Sequence, residues 1–221
     1  VDAEWAGIRR LLAQAGIEAP ERLVRRNADM PPVPGGIRDA SGAVIAPDPA
    51  TLPPDELDLP TLWRHPALIV GQTCWGPMEL GLAGQVRVVG QPDYSAYEGG
   101  EGELYSSAIL MRREDVGSGP KRATSGVQPP GSGEAAIPLH LLGGRRLAFN
   151  GHDSMSGLIA LTRDLAALAH GLDLFAERLE TGAHRASIIA VAEGRADVCA
   201  IDCRTWDAAR RFEPRAADLE V

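Results

Sequence analysis

Apolar positions along the chain change period several times, and each change marks an element. Trp5, Ile8, Leu11 and Leu12 recur at helical spacing over residues 3–15, with Gly16 placed to end the last turn, so an amphipathic helix is predicted there. Residues 67–73 and 86–89 are short apolar runs bounded by turn signals, and both read as buried strands. Residues 104–113 form a longer extended segment with Ile109, Leu110 and Met111 at its centre. From residue 146 the order becomes regular. A strand at 146–149 is followed by a helix at 154–170, striped by Leu158, Leu161, Leu165 and Leu168, and then by a strand at 175–179. A helix at 184–192 ended by Gly194, a strand at 196–201 and a helix at 205–212 complete the series. Strands alternating with helices predict an α/β fold whose mostly parallel sheet is covered by helices.

Two stretches break this order. Residues 30–60 are rich in Pro, Gly and Asp, and residues 117–138 in Gly, Ser and Pro, so both are expected to be irregular. The chain opens on a helix and stops just after Leu219, where a further strand could begin, so the native protein is expected to extend past both ends. No run approaches the roughly 18 uncharged apolar residues of a membrane span, and no membrane insertion is expected. The net charge of −8, with Lys121 as the single lysine, disfavours nucleic acid and anionic lipid as partners. It leaves room for a small anion held by a few local donors. Cys74, Cys199 and Cys203 match no zinc spacing, so no metal or other cofactor is expected.

Candidate chemistry gathers where strands end. Asn150-Gly151-His152-Asp153-Ser154-Met155-Ser156-Gly157 leaves the strand at 146–149 and opens the leucine-striped helix. A helix start offers unpaired N–H groups and about half a positive charge, and two hydroxyls beside it add donors, which suits an anion. Asp153 or Ser154 can equally be a plain N-cap. Glu180-Thr181-Gly182-Ala183-His184 opens the next helix in the same way, and His184 is either a ligand contact or a solvated first-turn residue. Both turns are expected at the carboxyl ends of their strands, where ligands of open α/β sheets bind. Gln72-Thr73-Cys74-Trp75 admits a nucleophile reading of Cys74 with His184 as base, but Pro77 interrupts the long helix such a cysteine normally opens, and a structural cysteine fits better. Asp202 either caps the helix at 205–212 or faces a ligand. Tyr94, Tyr97 and Tyr105 are all three tyrosines of the chain and favour a binding wall.

The ordered set Gln72-Thr73-Cys74, Leu104-Tyr105-Ser106-Ser107, Asn150 with Ser154-x-Ser156-Gly157, Thr181-Gly182-Ala183-His184-x-x-Ser187 and Gly194-Arg195-Ala196-Asp197-Val198 resembles the phosphate/phosphite/phosphonate ABC-transporter substrate-binding proteins over roughly residues 61–212. The resemblance implies a type II periplasmic-binding-protein-like α/β fold of two lobes, with mostly parallel sheets covered by helices, closing on ligand about hinge strands. The first lobe would comprise residues 1–103 with 204–221 and the second residues 104–203, crossed at 104–113 and 196–203. It further implies a small phosphonate-like anion on Ser154, the backbone N–H of Met155, and Ser156, with His184, Tyr105, Tyr94, Thr73 and Asp202 around it. An ABC permease as partner and a periplasmic location follow from the same likeness, as does a Cys74–Cys203 disulfide that leaves Cys199 buried. Met155 stands where the family often has a hydroxyl. An enzyme on the same fold, either a pyrimidine-precursor synthase or a Cys74/His184 hydrolase, and a small-molecule sensor domain are the competing functions. Binding without turnover would separate the first from the others.

Overall fold

The computed structural model describes residues 2–116 and 137–221, which fall into two compact units, Val1–Thr73 with Gly81–Arg87 and Cys74–Leu80 with Val88–Val221. Among the described residues no helix is long and apolar enough to cross a membrane.

In the first unit, α1 (Asp2–Gln14) matches the helical period, yet only Trp5 of its apolar face is buried and Leu11 stays 62% exposed. The hairpin β1 (Ile37–Arg38) with β2 (Val44–Ala46) and the short α2 (Leu59–Arg64) are the only regular pieces in the Pro-rich stretch apart from single 3₁₀ turns. Irregular chain leaves backbone groups without a ladder, and buried polar side chains take them up instead. Buried Asn27 donates through Nδ2 to the Pro53 carbonyl at 2.8 Å and accepts the Asp58 N–H at 2.8 Å. The ring of His65 bridges the Pro31 carbonyl and the Ala67 N–H.

The runs at 67–73 and 86–89 are not strands. Neither joins a sheet, and Ile69, Val88 and Val89 are 43%, 58% and 79% exposed. An apolar run becomes a strand only when a neighbouring strand takes its N–H and C=O groups, and none among the described residues does so here.

The second unit opens with α3 (Trp75–Pro77) and the hairpin of β3 (Gly100–Glu101) with β4 (Leu104–Tyr105). It continues through β5 (Ser107–Arg112), α4 (Arg113–Val116), α5 (Leu139–Leu142), β6 (Arg146–Phe149), α6 (Ala160–Ala167) and β7 (Glu177–Glu180). Then come α7 (His184–Ala192), β8 (Val198–Asp202), α8 (Cys203–Phe212) and β9 (Leu219–Glu220). Its sheet has the order β7-β6-β8-β5-β9, with β6 parallel to both β7 and β8, and with β5 antiparallel to β8 and β9. Four of the five strands therefore share a direction, so the sheet is mostly parallel, as the alternation of strand and helix predicts. The expected irregular stretch at 117–138 lies outside the described residues, apart from Ile137 and Pro138.

Strand alternation sorts the core into two layers, because successive side chains point to opposite faces. Ala108 and Leu110 of β5, Ala148 of β6, and Cys199 and Ile201 of β8 pack with Ile188 and Val191 of α7 and Trp206 of α8. The alternate residues Met111, Leu147, Phe149, Val198 and Ala200 pack with Leu158, with Leu161 and Leu165 of α6, and with Leu142 of α5. The helix predicted to reach residue 170 stops at Ala167, because Ala169 takes a left-handed φ of 59° and the His170 N–H closes onto the Leu165 carbonyl at 2.9 Å. Leu168 is consequently 38% exposed and leaves the stripe.

One end of the sheet is pinned by a carboxylate. Asp197, just before β8, accepts from the Arg146 N–H at 2.9 Å, from Arg146 Nε at 3.0 Å and Nη2 at 2.8 Å, and from Arg112 Nη2 at 3.0 Å. Arg112 Nη1 also donates to the Val191 and Ala196 carbonyls, each at 2.8 Å, and so ties the end of α7 to β5. The Arg146 hydrogen bonds, ahead of those from Arg112, hold the Asp197 carboxyl far below its ordinary 3.8. Asp197→Ala removes the shared acceptor of two arginines and is expected to cost about 3 kcal/mol or more of unfolding free energy in a urea titration. Since the folded pKa is depressed, the carboxylate's stabilisation is present above pH 3.8 and disappears as the pH falls through the folded value, so the variant's deficit should shrink at strongly acid pH. A deficit that stays constant down to that pH would show that packing, not charge, holds this end.

Candidate functional site

The opposite end of the same sheet carries the polar turns. β6 ends at Phe149, β7 at Glu180 and β8 at Asp202, and β5 starts there at Ser107, in register with Asp202. From β6 the chain passes through α6 to β7 on one side, then through α7 to β8 on the other, so the strand order reverses about β6. Such a switch opens a crevice at the carboxyl ends of the strands.

Into it comes the helix start after β6. Ser154 is the cap: its Oγ accepts the Gly157 N–H at 3.1 Å, and Met155–Ile159 forms a π-type turn that runs on into α6. Ser154 and Ser156 are buried at 4% and 5% exposure, while Met155 is half-buried. Within the turn, the N–H groups of Met155 and Ser156 come too early in the helix to find an intrahelical carbonyl, as at any helix start. Gly157 is required here, because a side chain at this position would run into the Asn150 side chain and the Ser154 hydroxyl. Asn150 Oδ1 is itself buried with no hydrogen-bond partner among the described residues.

The second turn delivers His184. Thr181 Oγ1 lies 3.1 Å from the Phe149 carbonyl and 2.7 Å from Ser187 Oγ, which fastens the start of α7 to the end of β6. Gly182 supplies the positive φ of 80° that the turn needs. His184 Nε2 is then 3.1 Å from Ser156 Oγ and 3.4 Å from Asp202 Oδ2. Its Nδ1 is buried without a partner among the described residues. Asp202 Oδ1 accepts the Thr205 N–H at 2.8 Å, so this residue caps α8 and faces His184 at once. Burial lowers the His184 pKa from 6.5, with Asp202 pulling in the other direction.

Tyr94 and Tyr105 stack with ring centroids 4.7 Å apart at 39° and pack, with Tyr97, against the core layer of α7 and α8. Burial raises both hydroxyl pKa values, and the Asp202 carboxylate adds to each. Thr73 belongs to the first unit. The sequence therefore names Ser154, Met155, Ser156, His184, Asp202, Tyr94 and Tyr105 in one unit. It gives no role to Ser107, whose Oγ donates to the Ser156 carbonyl at 3.0 Å. The available signal is a hydroxyl at the head of an apolar strand.

No disulfide joins Cys74 to Cys203. The Cys74 thiol lies 3.9 Å from the Asp153 carbonyl, whereas Cys203 opens α8 and is buried in the layer of Trp206, where burial pushes its thiol up to about 11. A side chain committed to that core cannot also reach out to a strand end. The arrangement about His184 likewise differs from a catalytic relay, which sets a carboxylate on one ring nitrogen and a nucleophile on the other. Here Ser156 and Asp202 share Nε2. A separate cavity of about 350 Å³ lined by Phe149, His152, Leu158, Leu172, Arg178 and Glu180 does not include this group of residues.

A family model described as "ABC transporter, phosphonate, periplasmic substrate-binding protein" matches residues 78–221. Among solved structures, that of PhnD1 from Prochlorococcus marinus (MIT 9301) in complex with methylphosphonate aligns at a TM-score of 0.48 and 18% identity. The alignment covers 66% of this chain and 48% of that one, so the chain spans about half the length of that protein. No curated protein matches at a significant level.

The folded pKa of His184 lies below the unfolded one, so the neutral ring is the stabilised form. Its contribution is complete above pH 6.5 and is lost as the pH falls through the folded value. Thermal midpoints measured from about pH 7.5 down to about pH 5 should therefore decline less steeply in His184→Gln than in the wild type. Parallel acid limbs would mean that the ring titrates alike in the folded and the unfolded chain, and that burial does not favour its neutral form.

Proposed function

Since the chain belongs to the family of ABC-transporter periplasmic phosphonate substrate-binding proteins, we propose that it holds a small phosphonate-like or phosphate-like anion for delivery to an ABC permease. The observation that carries this reading is the convergence of Ser154 and Ser156, at one helix start, with His184, at the next, on the edge where the strand order reverses. In this reading the Met155 and Ser156 N–H groups and the two serine hydroxyls take the anionic oxygens, assisted by the positive end of α6. His184 adds a ring nitrogen, and Tyr105, Tyr94 and Asp202 bound the space beyond the anion. Such donors fit oxygens that carry full charge and accept several hydrogen bonds each. The role is binding and release without turnover in the periplasm, the compartment of the family. The ligand recovered from the denatured complex should be chemically unchanged.

Calorimetry with methylphosphonate, inorganic phosphate, phosphite and sulfate tests the reading. Replacing both hydroxyls, Ser154→Ala with Ser156→Ala, is expected to weaken the preferred anion by about 2 to 4 kcal/mol, from two lost charge-assisted bonds. The variant also loses the Ser154 cap, about 1 kcal/mol of stability, so its folding is checked by thermal denaturation alongside. Full affinity in a folded double variant would reduce the turn to a helix cap.

A further inference from the structure

Resting on the anion-binding reading above, we propose that Asp202 is a positioning residue that sets the polarity of the site. Its carboxylate holds the His184 proton on Nε2, and this makes the Ser156 hydroxyl an obligatory donor to the bound oxyanion.

Neutral imidazole has one N–H and one lone pair, and the two can exchange nitrogens. Nε2 faces Asp202 Oδ2 at 3.4 Å and Ser156 Oγ at 3.1 Å, whereas Nδ1 is buried with no partner among the described residues. With the proton on Nδ1, a lone pair would face an acceptor-only carboxylate and the buried N–H would have nothing to bond. With the proton on Nε2, the N–H is drawn toward the carboxylate and donates to Ser156 Oγ, leaving only a lone pair unsatisfied. The second arrangement removes a repulsion and a buried orphan donor together.

A hydroxyl has a single proton. Once Ser156 Oγ accepts from His184, its own O–H has no acceptor among the described residues and goes to the ligand. Ser154 is set in the same sense, because its Oγ already accepts the Gly157 N–H at 3.1 Å. Ser107 keeps the geometry: its Oγ holds the Ser156 carbonyl at 3.0 Å while it sits opposite Asp202 in the β5–β8 ladder. The two groups that flank His184 are thus tied through one strand position.

Asp202→Asn is the discriminating variant. It is nearly isosteric, and its amide oxygen can still cap α8 by accepting the Thr205 N–H, now at 2.8 Å from Asp202 Oδ1. Its amide nitrogen then faces Nε2 as a donor and draws the ring proton to Nδ1. Charge alone predicts the reverse outcome for binding, because removing a negative side chain beside an anion should tighten it. Nitrogen-15 spectra of the ligand-free protein at about pH 8, where the ring is neutral, should show the proton on Nε2 in the wild type and on Nδ1 in D202N. Methylphosphonate titrated by calorimetry should bind D202N roughly tenfold more weakly, the equivalent of one lost hydrogen bond. A wild-type ring protonated on Nδ1, an unshifted tautomer in D202N, or tighter binding by D202N would each overturn the proposal. The wild-type spectrum decides the tautomer even if the variant does not fold. A wild type that shows the Nε2 proton but binds none of the oxyanions would overturn the function reading while upholding the tautomer control.

Discussion

The carboxylate of Asp197 is the fixed point of the second unit. Two arginines and the Arg146 backbone N–H converge on it, and through Arg112 the end of α7 is drawn in as well. β5, β6 and β8 are thereby locked in position at one end of the sheet. Pinned there, and buried on both faces by the alternating residues of the two core layers, they emerge at the other end with fixed spacing. That spacing sets Ser107 opposite Asp202 and brings His184 within reach of Ser156. A charged cluster far from the candidate site is thus what gives the site its geometry.

At the polar edge, few side chains serve one purpose. Asp202 caps α8 with one oxygen and faces His184 with the other, and Ser154 caps a helix while keeping a proton to donate. Thr181 fastens α7 to β6. Sharing of this kind follows from burial: each polar group removed from water needs a partner, and the partners at hand are the ends of neighbouring helices and strands. The atoms left over, Asn150 Oδ1 and His184 Nδ1, are both acceptors when the ring carries its proton on Nε2. Unsatisfied acceptors are the less costly kind to bury. The first unit meets the same demand differently, with Asn27 and His65 standing in for a sheet among loops rich in proline.

Local pattern was sufficient for the regular part of the second unit. β6 and α7 have the bounds that periodicity predicts, α8 starts two residues earlier, and β8 starts two residues later and ends one later, because alternation and helical spacing there agree with the burial the fold provides. The candidate turns were legible for a related reason. Asp202 ends its strand, and Ser154, Ser156 and His184 lie in the turns and helix starts that follow theirs, where a residue of an α/β sheet has little freedom in where it goes. Residues 67–73 and 86–89 misled because an apolar run records a preference for burial but not the presence of a neighbour to pair with, and Val89 remains 79% exposed.

By itself the sequence determined the α/β alternation, the two layers of core residues and the polar turns that open α6 and α7, since each of these is a matter of spacing along the chain. Only the tertiary structure decided that Cys203 is spent on the core rather than on a bridge, that Ser107 reaches the Ser156 carbonyl 49 positions away in sequence, and that Ser156 and Asp202 meet the same nitrogen of His184. Those facts depend on distances between segments remote in sequence, which are set when the sheet is assembled and its end is pinned at Asp197.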